Sequence, residues 1–278
     1  MHVRTCIAVV ALAVFPPPNS FRESTAAPIP RSYLGFDTNL YPGDDALSTL
    51  RKTFSFTGYW LSPPPGQTST TWLGKRAALQ SMGFGFLVLY RGAESSRIKT
   101  EADAAQQGTL DAANAATSAA DEGFPAHTRI FLDIEEGGRL PPVYHAYLRA
   151  WVDGLTRANY RAGVYCSGMP ATEPHGVKIV TADDIRNNIG SRTLAYWVYN
   201  DACPPSPGCV AAKAPPSPAA SGVSYAAVWQ FAQSPRRKNF TPKCSTTYQA
   251  NGNCYAPEDV AKTWFLDIDT ATSPDPSH

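Results

Sequence analysis

The feature that most constrains the fold is a series of short apolar segments separated by helical patterns. Eight such segments, each bounded by turn residues, lie at 33–39, 56–62, 84–91, 129–135, 162–167, 194–200, 225–231 and 264–269. Amphipathic helical patterns follow the first five, at 44–52, 72–81, 101–121, 142–158 and 182–189. Strands that alternate with helices are typical of parallel βαβ units. The sequence therefore predicts an α/β fold, a TIM-like barrel of eight strands with helices after the first five.

The connections between the last three predicted strands have a different composition. Residues 203–222 are too rich in proline to be helical, and residues 234–259 show no apolar repeat of 3.6 residues. We expect long loops there. Cysteines also fall in these loops, and we expect Cys203 to pair with Cys209 and Cys244 with Cys254, because a disulfide stabilises a loop that lacks its own core. Cys166, in the apolar run GVYCSG, is expected to be a buried free thiol.

The first residues indicate export. MHVRTCIAVVALAVF carries one basic residue before an apolar stretch that is too short to span a membrane, and a proline-rich stretch follows. We interpret residues 1–27 as a signal peptide and leader, the alternative being a buried N-terminal strand. Residues 31–272 are expected to form the single barrel domain and residues 273–278 a tail. The expected location is extracellular or associated with the cell wall, and no later segment predicts a membrane span.

Charge and histidine content limit the classes of partner. The 278-residue chain has a formal net charge of +1 and no basic stripe, so nucleic acid is not an expected partner. Its five histidines form no HExxH or paired-ligand pattern, and neither cysteine pair has zinc-ribbon spacing. We therefore expect no metal and no cofactor, and we expect a monomer whose partner is neutral or of mixed charge.

Two similar acidic motifs suggest where the chemistry lies. FLDIEE at 131–136 and FLDIDT at 265–270 each place two acids two positions apart, and alternating strand residues share one face. These strands are the fourth and eighth, which lie opposite each other in an eight-stranded barrel. Active sites of such barrels lie at the carboxyl ends of the strands. We expect Asp133 and Glu135 to converge with Asp267 and with Asp37 of the first strand, although a harmless exposed edge strand would show the same pattern.

Aromatic and polar residues near the strand ends extend this candidate site. Acids surrounded by aromatic rings at one mouth of a barrel indicate a carbohydrate cleft. The expected substrate-binding residues are Asn39, Tyr59, Tyr90, Tyr165, Trp197, Tyr199, Trp229 and Asp269.

The motifs GFDTN, FLDIEE, AGVYCSG, AYWVYN, VWQFA and FLDID occur in this order over residues 33–269. They resemble the lysozymes of glycoside hydrolase family 25 and, more closely, the glycoside-hydrolase-like domain known as domain of unknown function 1906. The resemblance implies a barrel of five βα units followed by three strands, and hydrolysis of the β-1,4 bond between amino sugars of peptidoglycan. It assigns Glu135 as general acid, Asp133 as its neighbour, and Asp37 and Asp267 as the first-strand and last-strand acids. A chitinase-type motif would require Asp at the position of Phe131.

Glycoside hydrolysis requires one protonated carboxyl group and a second negative group. Because clustered carboxylates disfavour each other's ionisation, one should stay protonated, and we expect this to be Glu135. Asp133 or Asp267 could orient a substrate acetamide as an internal nucleophile; inversion is the other route. Glu136 is an additional acid and is expected to point to the opposite face from Glu135, unless the strand ends there and the loop turns it inward.

The last motif reads DID where the lysozymes often have D-x-N. The closer group has no assigned activity, so a non-catalytic secreted carbohydrate-binding or wall-associated protein is the alternative function. An esterase or protease is disfavoured because the chain has no GxSxG motif.

Overall fold

Each of the eight predicted apolar segments contributes a strand to one closed barrel. The computed structural model describes residues 1–2, 31–204, 214–235, 237, 239 and 264–278. The barrel strands are β1 (Tyr33–Asp37), β2 (Phe56–Trp60), β3 (Gly85–Tyr90), β4 (Arg129–Asp133), β5 (Arg161–Ser167), β8 (Ala195–Tyr199), β9 (Val228–Ala232) and β10 (Asp267–Ala271). They close in the order β1-β10-β9-β8-β5-β4-β3-β2, so the expected TIM-like α/β barrel is confirmed.

Five helices follow the first five barrel strands in the described part of the chain. They are α1 (Asp44–Arg51), α2 (Arg76–Ser81), α3 (Glu101–Asp121), α4 (Pro142–Arg157) and α5 (Thr181–Asn188). A two-stranded sheet of β6 (Ala171–Thr172) and β7 (Lys178–Ile179) precedes α5. Thr100 caps α3 by accepting a 3.1 Å hydrogen bond from the Asp103 amide, a typical N-cap arrangement. A buried stripe of alanines lets α3 pack closely on α4. None of the described helices is long and apolar enough to cross a membrane.

The last strand runs against its neighbours. Strand β10 is antiparallel to both β1 and β9, whereas β1 to β5 pair in parallel. The start of β10, not its end, therefore lies at the carboxyl ends of the other strands, with Asp267 opposite Asp37. The expected convergence of these acids depended on a parallel last strand, and the antiparallel strand achieves it because its first residue is the acid.

Residues 273–278 pack into the barrel wall and do not form a detached tail. The Ser277 amide donates to the Phe86 carbonyl at 3.0 Å, and the Ser277 carbonyl accepts from the Arg129 amide at 2.7 Å. Asp275 accepts a further bond from the Phe86 amide at 2.9 Å. Strands β3 and β4 pair with each other only from Val88 and Ile130 onward. The segment therefore supplies the missing backbone partners at their amino ends.

The cysteines agree with the sequence analysis where they are described. Cys166 is buried and free, and burial raises the pKa of its thiol. Cys203 is disulfide-bonded. The other three cysteines of the predicted pairs, and most of residues 1–27, lie outside the described residues, so the pairing and the signal peptide stay predictions.

Candidate active site at the carboxyl end of the barrel

The loops that follow the barrel strands enclose adjoining cavities at one mouth. One cavity of about 410 Å³, here called the acid cavity, is lined by Arg91, Asp133, Glu135, Glu136 and Tyr144 among others. A neighbouring cavity of about 510 Å³ shares Arg91 and residues 92–94 with it. Another, of about 430 Å³, lies beside Asp267. The candidate site is therefore an open groove rather than a closed chamber.

Asp133 and Glu135 form the centre of the acid cavity. Asp133 is the last residue of β4 and is half-buried, while the Glu135 side chain is exposed. The Ile134 amide donates to the Tyr165 carbonyl at 2.9 Å, and the Tyr199 hydroxyl donates to the Glu135 carbonyl at 3.3 Å. These bonds fix the backbone on both sides of Glu135. The two carboxyl groups are hydrogen-bond partners.

Both carboxyl groups of this pair have raised pKa values, that of Asp133 the more strongly. Burial raises the pKa of Asp133 well above its usual value, and the nearby charges of Glu135 and Asp37 raise it further. Partial desolvation also raises the pKa of Glu135, but Arg237 and the hydrogen bond from Asp133 oppose that rise. The expectation that Glu135 keeps a proton stays a prediction, and its partner Asp133, the more desolvated of the two, shares the raised pKa.

Glu136 also lines the acid cavity. The expectation that it faces away required the strand to continue through residue 136, but β4 ends at Asp133, and the expected alternative holds, in which the loop turns Glu136 to the same side as Glu135. Glu136 accepts a 3.0 Å hydrogen bond from the Ser95 amide. It thus joins the loop after β3 to the loop after β4.

A second pair of acids lies inside the barrel below the mouth. Asp37 at the end of β1 is 6% exposed, and Asp269 of β10 is fully buried. Gln230 donates to Asp37 Oδ2 at 2.8 Å, and the Trp197 indole donates to Asp269 Oδ1 at 2.9 Å. No N–H or O–H donor of the described residues reaches Asp269 Oδ2, whose neighbour is Asp37.

Both carboxyl groups of the interior pair have raised pKa values. Burial raises the pKa of Asp37 to about 6 and raises that of Asp269 well above its usual value. A proton held on Asp269 Oδ2 would be donated to Asp37, which would give the otherwise unpartnered oxygen a partner and let Asp37 carry the charge. Gly58 makes room for this arrangement, since a Cβ there would lie 2.7 Å from the Asp37 Cβ.

Three of the expected binding residues lie at the mouth. Tyr165 faces the interior and donates to Gln230 Oε1 at 2.8 Å, which links it to Asp37 through Gln230. The Tyr199 ring lies 5.4 Å from that of Tyr165. Asn39 lines the cavity beside Asp267. The side chain of Asp267 accepts a 2.6 Å hydrogen bond from the Ser234 amide.

Five other expected binding residues do not reach the groove. Tyr59 bonds to Glu122 and packs on Trp72, Tyr90 stacks on Trp151 of α4, and Trp229 donates to the Asn200 carbonyl. These three point outward into the layer around the barrel. Trp197 and Asp269 point inward but are fully buried, so they cannot contact a substrate directly. The aromatic residues were selected by their position along each strand. Whether a residue faces the barrel interior or the outer layer depends instead on the face of the strand that it occupies.

The sequence analysis missed several residues of the site. Arg91 and Arg237 act on the charge of Glu135, Tyr144 lines the acid cavity, and Gln230 holds Asp37. Arg237 Nε lies 2.7 Å from Asp201, and its guanidinium is 5.4 Å from the Tyr199 ring. Gln230 was detectable, since it alternates with Trp229, an outward aromatic neighbour already considered. The arginines follow strands in loops, where no periodicity applies.

Over the described ranges, no group of three or more His, Cys, Asp or Glu could hold a metal ion.

Comparison with known proteins places this site in context. Residues 65–197 match the Rv2525c-like, glycoside hydrolase-like domain. The resemblance expected from the motifs is thereby confirmed, and the matched segment contains Asp133 and Glu135. No curated protein matches the chain in sequence.

Two solved structures with TM-scores above 0.5 share the barrel fold, and a third is similar at a lower score. An uncharacterized B. stearothermophilus protein superposes with a TM-score of 0.54 at 19% identity, covering 86% of this chain and 95% of the other. The Clostridium perfringens spore cortex lytic enzyme SleM superposes with a TM-score of 0.51 at 13% identity, covering 89% and 70%. The Mycobacterium tuberculosis Tat-secreted protein Rv2525c gives 0.47 at 16% identity, covering 88% and 96%.

Proposed function

We propose that this protein is a secreted glycoside hydrolase that cleaves β-1,4 bonds of peptidoglycan or a related amino-sugar polymer. The observation that carries the proposal is the hydrogen-bonded Asp133–Glu135 pair, which lines an open cavity and has raised pKa values on both carboxyl groups. A glycosidase requires a carboxyl group that is protonated near neutral pH and reaches the substrate. Glu135 is exposed and can reach the substrate. A proton shared with Asp133 keeps a protonated carboxyl group available near neutral pH.

The contact between Asp133 and Glu135 restricts the route. In inverting enzymes a water molecule fits between carboxyl groups roughly 6.5–9.5 Å apart, and nucleophile pairs stand about 5–5.5 Å apart. A pair in hydrogen-bond contact is too close for either arrangement. Asp133 therefore cannot act as the general base or as the nucleophile on the far side of the sugar. Of the other acids, Asp37 is nearly buried, which leaves half-buried Asp267 as the inverting base.

The route that uses the pair itself is assistance by the substrate's acetamide group. The acetamide N–H donates to Asp133, whose proton passes to Glu135. Glu135 then protonates the glycosidic oxygen as the bond to C1 breaks and the acetamide oxygen bonds to C1. Water later opens this ring, returning a proton to Glu135. Arg91 and Arg237 stabilise the negative charge that Glu135 carries between these steps.

The proposal is tested by incubating purified mature protein with purified peptidoglycan, chitin and a neutral β-glucan. Loss of turbidity and release of reducing ends from an amino-sugar polymer, but not from the glucan, are expected. Asp267→Asn separates the two routes, because it abolishes turnover if Asp267 is the inverting base and leaves most of it if the acetamide is the nucleophile. Absence of turnover on every polymer would refute the hydrolase.

The second candidate is a secreted carbohydrate-binding protein without turnover. The specific observation in its favour is that Arg237 and Arg91 oppose the rise in the pKa of Glu135, whereas the pKa of Asp133 is raised well above its usual value. Glycan binding by wild-type protein without any released reducing ends would select this candidate. Export in both cases rests on residues 1–27, and N-terminal sequencing of protein from the culture medium of the producing cells tests it.

A further inference from the structure

Two exposed apolar side chains share the cavity beside Asp267. Phe265 is 66% exposed and Leu40 is 53% exposed, and both line this space of about 430 Å³. The other large apolar residues with high exposure in the described chain are Met1, Leu73, Leu110 and Val177, and none of them lines it. Single exposed apolar residues are ordinary, but two that meet in a cavity beside a candidate active site indicate a binding surface.

The exposure of both side chains is fixed by their surroundings. Phe265 stands between Trp264 and Leu266, which are 7% and 1% exposed, so backbone alternation directs the phenyl ring outward. Leu40 lies in a loop held by two bonds to the segment before α2. The Tyr41 amide donates to Thr71 Oγ1 at 2.8 Å, and the Trp72 indole donates to the Thr38 carbonyl at 3.2 Å. The apolar surface is thus preorganised, which lowers the entropic cost of binding.

Polar groups surround this apolar surface and connect it with the acids. Asn39, Gln67, Ser234 and Asp267 also line the cavity. Asp267 is paired with Asp37 across β1 and β10. Gln67 also lines the 510 Å³ cavity, which adjoins the acid cavity through Arg91. An apolar surface with a few polar groups at its rim matches a pyranose ring, which has C–H groups on its face and hydroxyl groups at its edge.

We infer that the cavity beside Asp267 is a sugar subsite, in which Phe265 and Leu40 pack against the face of one ring of the glycan. The inference rests on the proposed function, since it names the part of the groove that holds the chain away from the acid cavity. A substrate must then be long enough to occupy both places. Binding energy from this remote ring holds the scissile bond near Glu135.

Isothermal titration calorimetry measures glycan affinity without turnover and so tests the subsite. Glu135→Gln is the parent, and the ligands are purified peptidoglycan glycan fragments of two and of eight sugars. Adding Phe265→Ala should weaken binding of the eight-sugar fragment by roughly 10-fold, the scale of partly burying one aromatic side chain, and Leu40→Ala by less. Phe265→Tyr should restore binding. Leu110→Ala, at a residue 49% exposed on α3, is the matched control and should change nothing.

The fragment length provides an independent criterion. The Phe265→Ala effect should vanish with the two-sugar fragment, which cannot span both places. Equal affinity of Phe265→Ala and its parent for the eight-sugar fragment would overturn the subsite and leave the proposed function intact. No binding of either fragment by the parent would overturn both. Melting temperatures of the variants should match that of the parent, since neither side chain is buried.

Discussion

The two pairs of acids at this end of the barrel are built from the same parts in different surroundings. In each pair two carboxyl groups lie side by side, and burial raises the pKa of both. The mouth pair, Asp133 and Glu135, opens to a cavity and lies near Arg91 and Arg237. The interior pair, Asp37 and Asp269, receives bonds only from the neutral donors Gln230 and Trp197 among its described partners. The difference lies in access to a substrate and in the charge of the partners.

The mouth pair is therefore suited to proton transfer, whereas the interior pair is suited to holding neighbouring residues in position. Cationic partners can stabilise a carboxylate that appears during a reaction, and an exposed acid can reach a glycosidic oxygen. Neutral donors around a buried pair fix one protonation state and one geometry. We therefore assign transfer to the mouth pair and positioning to the interior pair.

The largest expected effect is at Glu135. Glu135→Gln keeps the size of the side chain but removes the transferable proton, so turnover on peptidoglycan should fall by roughly 10²- to 10⁴-fold. Glu136→Gln is the matched control from the same cavity. Its amide oxygen can still accept from the Ser95 amide, so initial rates should change much less. Similar losses in the two variants would contradict the assignment of Glu135 as the acid.

The same Asp→Asn substitution in both pairs tests the comparison directly. An asparagine amide reproduces the donor of a protonated aspartate, so Asp269→Asn can still donate to Asp37 and accept from Trp197. Turnover and melting temperature should stay near wild type. Asp133→Asn also mimics the resting state, but it cannot receive the acetamide proton or pass one to Glu135, and turnover should fall by about 100-fold.

Initial rates on one glycan, with melting curves, measure both variants. If Asp133→Asn is as active as Asp269→Asn, then Asp133 is a structural residue and the distinction between the pairs fails.

The interior pair also predicts a pH dependence of stability. The pKa of Asp37 is about 6 in the folded protein against an ordinary 3.8, so the folded state binds a proton that the unfolded state releases. Its contribution to stability is complete below the lower value and is lost as the pH rises through about 6. At pH 8 the ionised group costs on the order of 2–3 kcal/mol. The melting temperature of wild type should therefore fall between pH 5 and pH 8 by several degrees more than that of Asp37→Asn.

Thermal scans of both proteins across this range provide the measurement. Parallel pH profiles would show that Asp37 titrates with an ordinary pKa, which would contradict the desolvation of the interior pair.

The sequence predicted more of the fold than of the site. Runs of apolar residues and turn residues located all eight strands, since burial imposes a pattern that extends over several positions. The acidic motifs located Asp133, Glu135 and Asp269, but they paired Asp269 with Asp267 and not with Asp37, its neighbour inside the barrel. The antiparallel direction of β10 could not be predicted, because the sequence pattern of a short apolar strand is the same for a parallel and an antiparallel strand. Arg91 and Arg237 follow strands in loops, and only the folded chain brings them to Glu135.

The aromatic residues illustrate a third kind of error, which arises from the face of a strand. Gly58 faces the interior, where its Cα lies close to Asp37, and Trp60 shares that face while Tyr59 does not. The sequence interpretation chose Tyr59, which lies on the opposite face from Gly58 and Trp60. Only knowledge of which residues lie beside β2 on the adjacent strand would have shown which face of β2 points into the barrel.

The smallest expected effects, at Tyr59 and Trp60, test this assignment of faces. Tyr59→Phe removes the hydroxyl that bonds to Glu122 behind the barrel, so stability should fall by about 1 kcal/mol with turnover unchanged. Trp60 is 3% exposed, and its indole Nε1 has no hydrogen-bond partner among the described residues. Trp60→Phe removes that donor at the level of the mouth above Asp37, so it should slow turnover several-fold and lower stability through lost packing. Denaturation midpoints and initial rates distinguish the two neighbours. A loss of turnover in Tyr59→Phe with full activity in Trp60→Phe would reverse the faces of β2, and with them the position of Asp37 inside the barrel.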